Sequence, residues 1–195
     1  MDNLITYGYI TIPNLLTLDE CQEFCQWIDE LFSDEPELDG LEIEGYDRLK
    51  IRKHGLSKLV STRLSEKLQL GPTPDSIDEN KHIIVFTQWF PTKYISGGGL
   101  GIHIDGNATE DNKSSTHTIL IYLNAAPEFT GGRTVFVDDY DSTLEVLCNN
   151  YITPTPGLAL ILEQDKLHFA ESLQSGTKYI LRGDICYESY AHKLC

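Results

Sequence analysis

The stretch Gly101-Ile102-His103-Ile104-Asp105-Gly106 determines how the rest of this 195-residue chain is interpreted. His103 and Asp105 are two residues apart, and side chains at that spacing on a strand point to the same face of the sheet. A third side chain, His168 in the later stretch Leu167-His168-Phe169, would complete a set of two histidines and one carboxylate. Such a facial set leaves the opposite coordination positions open and suits a non-haem Fe(II) that binds oxygen.

A His-x-Asp sequence also occurs by chance in loops and edge strands, so the motif alone does not establish a metal site. The other histidines have no metal-ligand spacing to one another and are expected to be structural or exposed; they are His54, His82, His117 and His192. The rest of the sequence therefore has to decide between the two interpretations.

Composition predicts a globular domain in a reducing compartment. Hydrophobic residues make up 41 % of the chain and charged residues 23 %, which is ordinary for a soluble protein. No apolar run has the length of a membrane span, and no basic segment precedes an apolar stretch at the start. The five cysteines have neither a zinc spacing nor an even count, so we expect a cytoplasmic location.

The charge of the chain restricts its partners. Thirty Asp and Glu residues against 15 Lys and Arg residues give a net charge of −15. Such a surface repels nucleic-acid backbones and anionic membranes, and it leaves a neutral or basic partner as the expectation. The alternative is that the charge serves solubility alone.

The N-terminal part predicts one strand and two helices. Residues 7–12 alternate and are β-branched, as in a short strand. Thr17 and Glu20 have the spacing of a capping box, followed by helical periodicity to about Ser33. Apolar residues between Gly55 and Leu68 recur on one face and predict a second amphipathic helix.

The C-terminal part predicts short strands separated by glycine and proline. The expected strands cover residues 83–90 (ended by Pro91), 116–124, 134–137, 158–162 and 178–187. Strands at this pitch are typical of a sandwich or jelly roll, and helices that precede them are expected to pack on its outer face. The predicted fold class is therefore α+β, mainly β. Residues 91–100 and 107–115, which flank the His-x-Asp motif, are predicted to be polar loops that clamp a substrate.

Residues 81–190 resemble the prolyl 4-hydroxylase-like branch of the Fe(II)- and 2-oxoglutarate-dependent dioxygenase superfamily. The motifs occur in that family's order: His103-x-Asp105, Tyr122-Leu123-Asn124, Gly131-Gly132-x-Thr134-x-Phe136, Pro156-Gly157, His168, Gly176-x-Lys178 and Asp184-x-x-Tyr187. The resemblance implies a double-stranded β-helix core (a cupin-like jelly roll) with the metal at its open mouth. We expect one domain over residues 1–195, in which residues 1–80 supply the N-terminal strand and supporting helices.

The resemblance also implies roles for individual residues. His103, Asp105 and His168 would be the Fe(II) ligands. Lys178, ten residues after His168, would bind the far carboxylate of 2-oxoglutarate, because a buried carboxylate requires a paired cation. Tyr122 would contact the same carboxylate or simply pack in the core. Arg182 competes with Lys178 because both fall on one strand face, and Lys178 is favoured.

The chemistry implied by the resemblance consumes 2-oxoglutarate and O2, releases succinate and CO2 and hydroxylates an aliphatic C–H bond, with ascorbate expected to keep the iron reduced. The expected substrate is a peptide or protein side chain, with proline first. A small molecule such as a free amino acid, or a jelly-roll binding module without activity, are the alternatives. The sequence departs from relatives at Gln88-Trp89-Phe90, where a tyrosine is often found, and at the end of the last strand, Arg182–Tyr187.

Overall fold

The computed structural model describes residues 8–33, 44–68, 81–137, 139–140, 146–147 and 150–189. The described helices and strands, in chain order, are β1 (Tyr9–Ile12), α1 (Leu18–Ser33), β2 (Tyr46–Arg48), β3 (Ile51–Arg52), α2 (His54–Lys67), β4 (Lys81–Ile95), β5 (Leu100–His103), β6 (Thr109–Glu110), β7 (Lys113–Ser114), β8 (His117–Tyr122), β9 (Phe129–Gly131), β10 (Thr134–Phe136), β11 (Asp139–Tyr140), β12 (Val146–Leu147), β13 (Asn150–Ile152), β14 (Ala159–Glu163), β15 (His168–Ala170) and β16 (Leu173–Ser189).

Two antiparallel sheets form the core. The major sheet has the order β1-β14-β8-β16-β4-β2, with β3 paired to β4 and β9 paired to the start of β16. The minor sheet has the order β13-β10-β15-β5. Strands distant in sequence lie side by side in both, as expected when a chain winds two sheets into a double-stranded β-helix. The predicted α+β, mainly-β jelly roll is confirmed.

A reciprocal capping box starts α1, as predicted. The Glu20 N–H donates to Thr17 Oγ1 at 3.2 Å, and the Thr17 N–H donates to Glu20 Oε2 at 2.8 Å. These two bonds satisfy donors that an uncapped helix end leaves unpaired. Glu20 also accepts hydrogen bonds from Arg63 of α2 at 2.7 and 2.8 Å, which joins the two helices.

The two helices cover the outer face of the major sheet. Leu56, Val60 and Leu64 of α2 are buried at helical spacing against that face. The odd-numbered side chains of β8, Ile119 and Ile121, point into the same core. The helices have 16 and 14 residues, and among the described residues none is both long and apolar enough to cross a membrane.

The inner face of the major sheet points to the minor sheet and forms a second core. Even-numbered residues of β8 and β14 alternate into it because successive side chains of a strand point to opposite faces. Leu120, Tyr122, Leu160 and Leu162 therefore lie against Phe136 from the minor sheet. Toward one end this core gives way to a cavity, which holds the candidate site.

Pro91 does not end its strand, contrary to the prediction. β4 continues to Ile95, and Pro91 pairs with Leu181 of β16. The Pro91 carbonyl accepts the Leu49 N–H at 3.1 Å, on the side of the chain between the short strands β2 and β3. The N and C=O of one strand residue point to the same side, so the missing N–H of Pro91 faces this break and costs no bond to β16.

The predicted loops beside the motif are largely ordered structure. Residues 91–95 belong to β4, which leaves a short turn at residues 96–99. Residues 109–114 form a β6–β7 hairpin whose turn residues, Asp111 and Asn112, both have positive φ. Glu110 fixes the hairpin to β4, because Glu110 Oε2 accepts the Thr87 N–H at 2.9 Å and its hydroxyl at 3.0 Å.

Candidate active site

The strands β5 and β15 bring the two histidines of the motif together. His103 ends β5, His168 begins β15, and the two are direct partners in the antiparallel register. Their ring centroids lie 4.3 Å apart. The pairing of residues 65 positions apart in sequence is therefore a property of the minor sheet.

Asp105 joins them in a way that the strand spacing did not predict. It lies two residues beyond the end of β5, so the period-two argument does not place it. Its position is set by its N–H, which donates to the Gln164 carbonyl at 2.9 Å. The convergence was predicted correctly, but the structural reason is this loop contact.

The three side chains have the geometry of a metal site. One ligand atom from each of His103, Asp105 and His168 lies within 4.8 Å of the others. His103 Nδ1 is 2.7 Å from the Gly101 carbonyl, and His168 Nδ1 is 2.8 Å from the Lys166 carbonyl. Since a carbonyl only accepts, both Nδ1 atoms carry the proton, and each Nε2 keeps a lone pair for an ion.

The carboxylate of Asp105 supplies a further test of fit. Its Oδ2 is buried, has no hydrogen-bond partner in the part of the chain that the structure describes and lies 3.9 Å from His168 Nε2. An unsatisfied buried carboxylate oxygen is costly, and a bound cation would remove that cost. Burial lowers the pKa of His168, which favours the neutral imidazole that a metal requires. Two imidazole nitrogens and one carboxylate oxygen suit Fe(II).

Arg182 is held at the metal end of the site. Its Nη1 donates to Asp184 Oδ2 at 3.0 Å, and its Nη2 lies 3.5 Å from Asp105 Oδ1. Its guanidinium also lies 4.8 Å from the centre of the Phe90 ring. Through these contacts Arg182 neutralises acidic groups in the interior.

Lys178 is a buried cation without a carboxylate. Its side chain is 1 % exposed, and its Nζ donates to the Gly132 carbonyl at 2.6 Å and lies 4.8 Å from the centre of the Tyr94 ring. Within the described residues it forms no ion pair, and the acidic residue that raises its pKa, Glu171, is bound by Arg133. Burial dominates and lowers the pKa of Lys178 to about 7.

A cavity of about 640 Å³ contains both the metal-site cluster and Lys178. It is lined by the metal-site cluster, by Lys178 and Arg182, and by residues of β2, β4 and β16. The predicted shared face of β16 is confirmed, since Lys178, Ile180, Arg182 and Asp184 all line the cavity.

Tyr122 lies behind this lining. It is fully buried, and its hydroxyl is 2.7 Å from Thr134 Oγ1, the group that reaches the cavity in its place. Burial raises the pKa of Tyr122, so the hydroxyl is neutral. The packing alternative therefore accounts for the contacts of this side chain.

Sequence reasoning missed two tyrosines that line the cavity. Tyr94 follows Pro91 on β4, and Tyr46 is its partner on β2, with ring centroids 4.9 Å apart. The stretch Gln88-Trp89-Phe90 has no tyrosine, and Tyr94 lies further along the same strand. Trp89 itself points the other way, where its indole N–H donates to Ser57 Oγ at 2.9 Å. The even-numbered positions of β4 would have indicated Tyr94 if the strand had been extended through Pro91.

The remaining predictions concern side chains outside the cluster. Arg133 is 40 % exposed and pairs with Glu171 at 2.7 Å. His54 is exposed and His117 is buried, and neither joins the metal-site cluster. His192 and the side chain of His82 lie outside the described residues.

Comparison with known proteins shows similarity in structure. No family model and no curated protein matches the sequence. A prolyl-4-hydroxylase from Pseudomonas putida matches with a TM-score of 0.60 and 15 % identity over 94 % of this chain and 95 % of that one. A prolyl hydroxylase from Trichoplax adhaerens, in complex with a hypoxia inducible factor oxygen degradation domain peptide fragment, matches with a TM-score of 0.59 and 18 % identity over 94 % and 86 %.

A third match is SnoN, a non-haem α-ketoglutarate (2-oxoglutarate) dependent epimerase from nogalamycin biosynthesis. Its TM-score is 0.63 at 14 % identity, over 96 % of this chain and 79 % of that one. At these identities the likeness establishes the fold. The chain has the double-stranded β-helix fold of the 2-oxoglutarate- and Fe(II)-dependent oxygenases, with prolyl hydroxylases among its structural neighbours.

Proposed function

We propose that this protein is an Fe(II)- and 2-oxoglutarate-dependent oxygenase that hydroxylates an aliphatic C–H bond. The observation that carries the proposal is one cavity with a three-ligand cluster, His103, Asp105 and His168, and a buried cation, Lys178, that pairs with no carboxylate among the described residues. A metal that binds three protein ligands keeps positions for a cosubstrate and O2. A carboxylate is the group that completes the surroundings of Lys178.

The residues of this chain would divide the work as follows. His103, Asp105 and His168 hold the metal, and the Gly101 and Lys166 carbonyls fix the orientation of the two rings. Lys178 binds the distal carboxylate of 2-oxoglutarate, and Arg182 holds Asp105 in place. When bound, Fe(II) and 2-oxoglutarate supply the oxidising chemistry, in which 2-oxoglutarate becomes succinate and CO2. The protein supplies the geometry of the metal ligands and the lining of the cavity.

For the substrate, we propose a proline in a peptide or protein, with a small molecule as the second candidate. Structural neighbours support the first, because one was solved with a peptide fragment bound. The second is supported by SnoN, whose name refers to the biosynthesis of a small molecule. A binding module without activity is disfavoured, because the buried charge of Lys178 lowers stability unless it has a ligand.

Turnover with a panel of candidates tests the proposal. The protein is incubated with Fe(II), 2-oxoglutarate and ascorbate, and with proline-containing peptides or free amino acids. We expect succinate above the uncoupled rate and a gain of one oxygen atom in one substrate by mass spectrometry. His168→Ala serves as the inactive control. If calorimetric titration shows that the protein binds neither a divalent metal nor 2-oxoglutarate, the oxygenase assignment is refuted.

A further inference from the structure

We infer that Gln164 is a positioning residue of the metal centre, which fixes the carboxylate of Asp105 so that one of its oxygens faces the ion. This inference rests on the proposed function and deepens it, because it assigns a role at the same site to a side chain that acts through Asp184 and Arg182. Gln164 directly follows β14, and its side chain is buried.

Two contacts hold Asp105, one on its main chain and one on its carboxylate. The Asp105 N–H donates to the Gln164 carbonyl at 2.9 Å, and Asp105 Oδ1 lies 3.5 Å from Arg182 Nη2. The other oxygen, Oδ2, lies 3.9 Å from His168 Nε2 and has no hydrogen-bond partner among the residues that the structure describes. The contact of Oδ1 with Arg182 therefore leaves Oδ2 as the oxygen available to an ion shared with His168.

The side chain of Gln164 reaches the same carboxylate by a second route. Its Nε2 donates to Asp184 Oδ1 at 3.0 Å, and Asp184 Oδ2 accepts a hydrogen bond from Arg182 Nη1 at 3.0 Å. Arg182 then presents its Nη2 to Asp105. Asp105, Gln164, Asp184 and Arg182 therefore form a closed set of contacts, which we call the Gln164 network.

The carboxylate of Asp184 explains why this network needs an amide. Asp184 is fully buried, and a buried carboxylate requires partners for its oxygens. An arginine readily binds one carboxylate through two parallel N–H bonds. Because Gln164 occupies Asp184 Oδ1, Arg182 binds Asp184 through Nη1 and keeps Nη2 for Asp105. Without the amide, Arg182 should turn both nitrogens to Asp184 and release Asp105 Oδ1.

Ser115 fixes the orientation of the Gln164 amide. Its Oγ lies 2.9 Å from Gln164 Nε2 and 3.0 Å from Gln164 Oε1, and it accepts the Ala108 N–H at 2.8 Å. The Ser115 N–H donates in turn to the Ala108 carbonyl at 2.8 Å, so the hydroxyl itself is held in place. These contacts keep the donor of the amide directed at Asp184.

Metal titrations on matched variants test this inference. Gln164→Met keeps a side chain of similar length and removes the amide. We expect its affinity for Mn(II) alone to fall by about tenfold, as for the loss of a group that orients a metal ligand. The visible absorption of bound Co(II), which depends on ligand geometry, should also differ from that of the wild type. The affinity for 2-oxoglutarate at saturating Mn(II) should change less than about threefold, because Lys178 contacts Gly132 outside the network.

The control is Asn124→Leu, which removes another buried amide from a residue that does not line the cavity. Asn124 accepts the Tyr179 N–H at 2.9 Å and donates to the Thr177 carbonyl at 2.8 Å. Both variants should be less stable than the wild type in urea, but Asn124→Leu should keep the Mn(II) affinity and the Co(II) absorption of the wild type. If circular dichroism shows that Gln164→Met is unfolded, Gln164→Asn takes its place, since it stays polar and shortens the reach of the amide by one methylene.

A double-mutant cycle tests the route through Arg182. If the amide acts by keeping Arg182 on Asp105, adding Gln164→Met to Arg182→Ala should weaken Mn(II) binding by less than about threefold. An undiminished loss in that background would overturn the inference, because the effect of Gln164 would then bypass Arg182.

The outcomes also separate this inference from the proposed function. If the wild type binds Mn(II) and 2-oxoglutarate and the folded Gln164 variant binds Mn(II) within about twofold of the wild type, the inference is overturned and the oxygenase proposal stands. If the wild type binds neither Mn(II) nor 2-oxoglutarate, the proposed function fails and the inference fails with it.

Discussion

His103 and His168 are register partners on neighbouring strands, and each ring has its Nδ1 bonded to a backbone carbonyl two residues earlier in the chain. The same local contact is thus made twice, once at the end of β5 and once at the start of β15. It fixes both tautomers before any ion binds. Pre-orientation of this kind lowers the entropy lost when a metal is bound.

Removal of one ring should abolish metal binding without unfolding the domain. His168→Ala deletes one of three ligands, so we expect no calorimetric binding of Mn(II) at concentrations that saturate the wild type. The wild type should be stabilised by about 2.7 kcal/mol at an ion concentration 100 times the Kd, whereas the variant should gain nothing. Far-UV circular dichroism verifies that the variant is folded. His117→Ala is the matched control, because His117 is buried but lies outside the cluster. If the metal stabilised His168→Ala as much as the wild type, the ligand assignment would be contradicted.

Arg182 should support the metal end and leave 2-oxoglutarate binding largely unaffected. Arg182→Ala removes the group that lies 3.5 Å from Asp105 and 3.0 Å from Asp184. Loss of such a supporting contact typically weakens metal affinity by roughly 10- to 100-fold. Titration with Mn(II) alone, then with 2-oxoglutarate at saturating Mn(II), separates the two effects. A large loss in the second titration alone would assign the distal carboxylate to Arg182.

Lys178 should show the reverse pattern. Lys178→Ala is expected to weaken 2-oxoglutarate binding by about tenfold or more, since a hydrogen bond to a charged group contributes roughly 1.5–3 kcal/mol. Mn(II) binding should change little, because the contacts of Lys178 are with Gly132 and the Tyr94 ring. Unchanged 2-oxoglutarate affinity in this variant would remove Lys178 from the cosubstrate site.

The sequence predicted the strands, the helices and the ligand cluster because these depend on local periodicity and on motif order. It failed where the deciding contact lies far away in sequence. Asp105 reaches the cluster through Gln164, and Pro91 is tolerated because its missing N–H faces the gap beside Leu49. The strand was therefore ended too early, and Tyr94 was missed.

The presence of Arg48 in the cavity lining was missed for a related reason. Arg48 belongs to β2, a strand of three residues whose length gives no periodic signal. Its place in the cavity lining comes from the pairing of β2 with β4, which puts it beside the Phe90 ring. The net charge of −15 is an average over the chain, and it cannot show that the residues facing one cavity have the opposite sign.

The burial of Lys178 should also be visible in the pH dependence of stability. Burial lowers its pKa in the folded state from 10.5 to about 7. Between these values the unfolded chain binds more protons than the folded one, so the free energy of unfolding should rise with pH across this window. The destabilisation is fully present below pH 7 and disappears near pH 10.5. One pKa unit corresponds to about 1.4 kcal/mol, so the upper bound is roughly 5 kcal/mol.

Lys178→Met tests this relationship, because methionine is flexible, apolar and similar in length. At pH 6 the variant should be more stable than the wild type in urea denaturation, and the difference should shrink steadily toward pH 10. The control is Lys93→Met, which changes a lysine on the outer face of β4 that is 25 % exposed and pairs with Asp29. It should leave the slope of stability against pH unaltered between pH 7 and 10. Saturating 2-oxoglutarate and Mn(II) should stabilise the wild type more than Lys178→Met, because the cosubstrate supplies the missing negative charge. Equal pH slopes in the wild type and Lys178→Met would show that Lys178 is charged and solvated in the folded protein, and its proposed role as a buried receptor for a carboxylate would have to be abandoned.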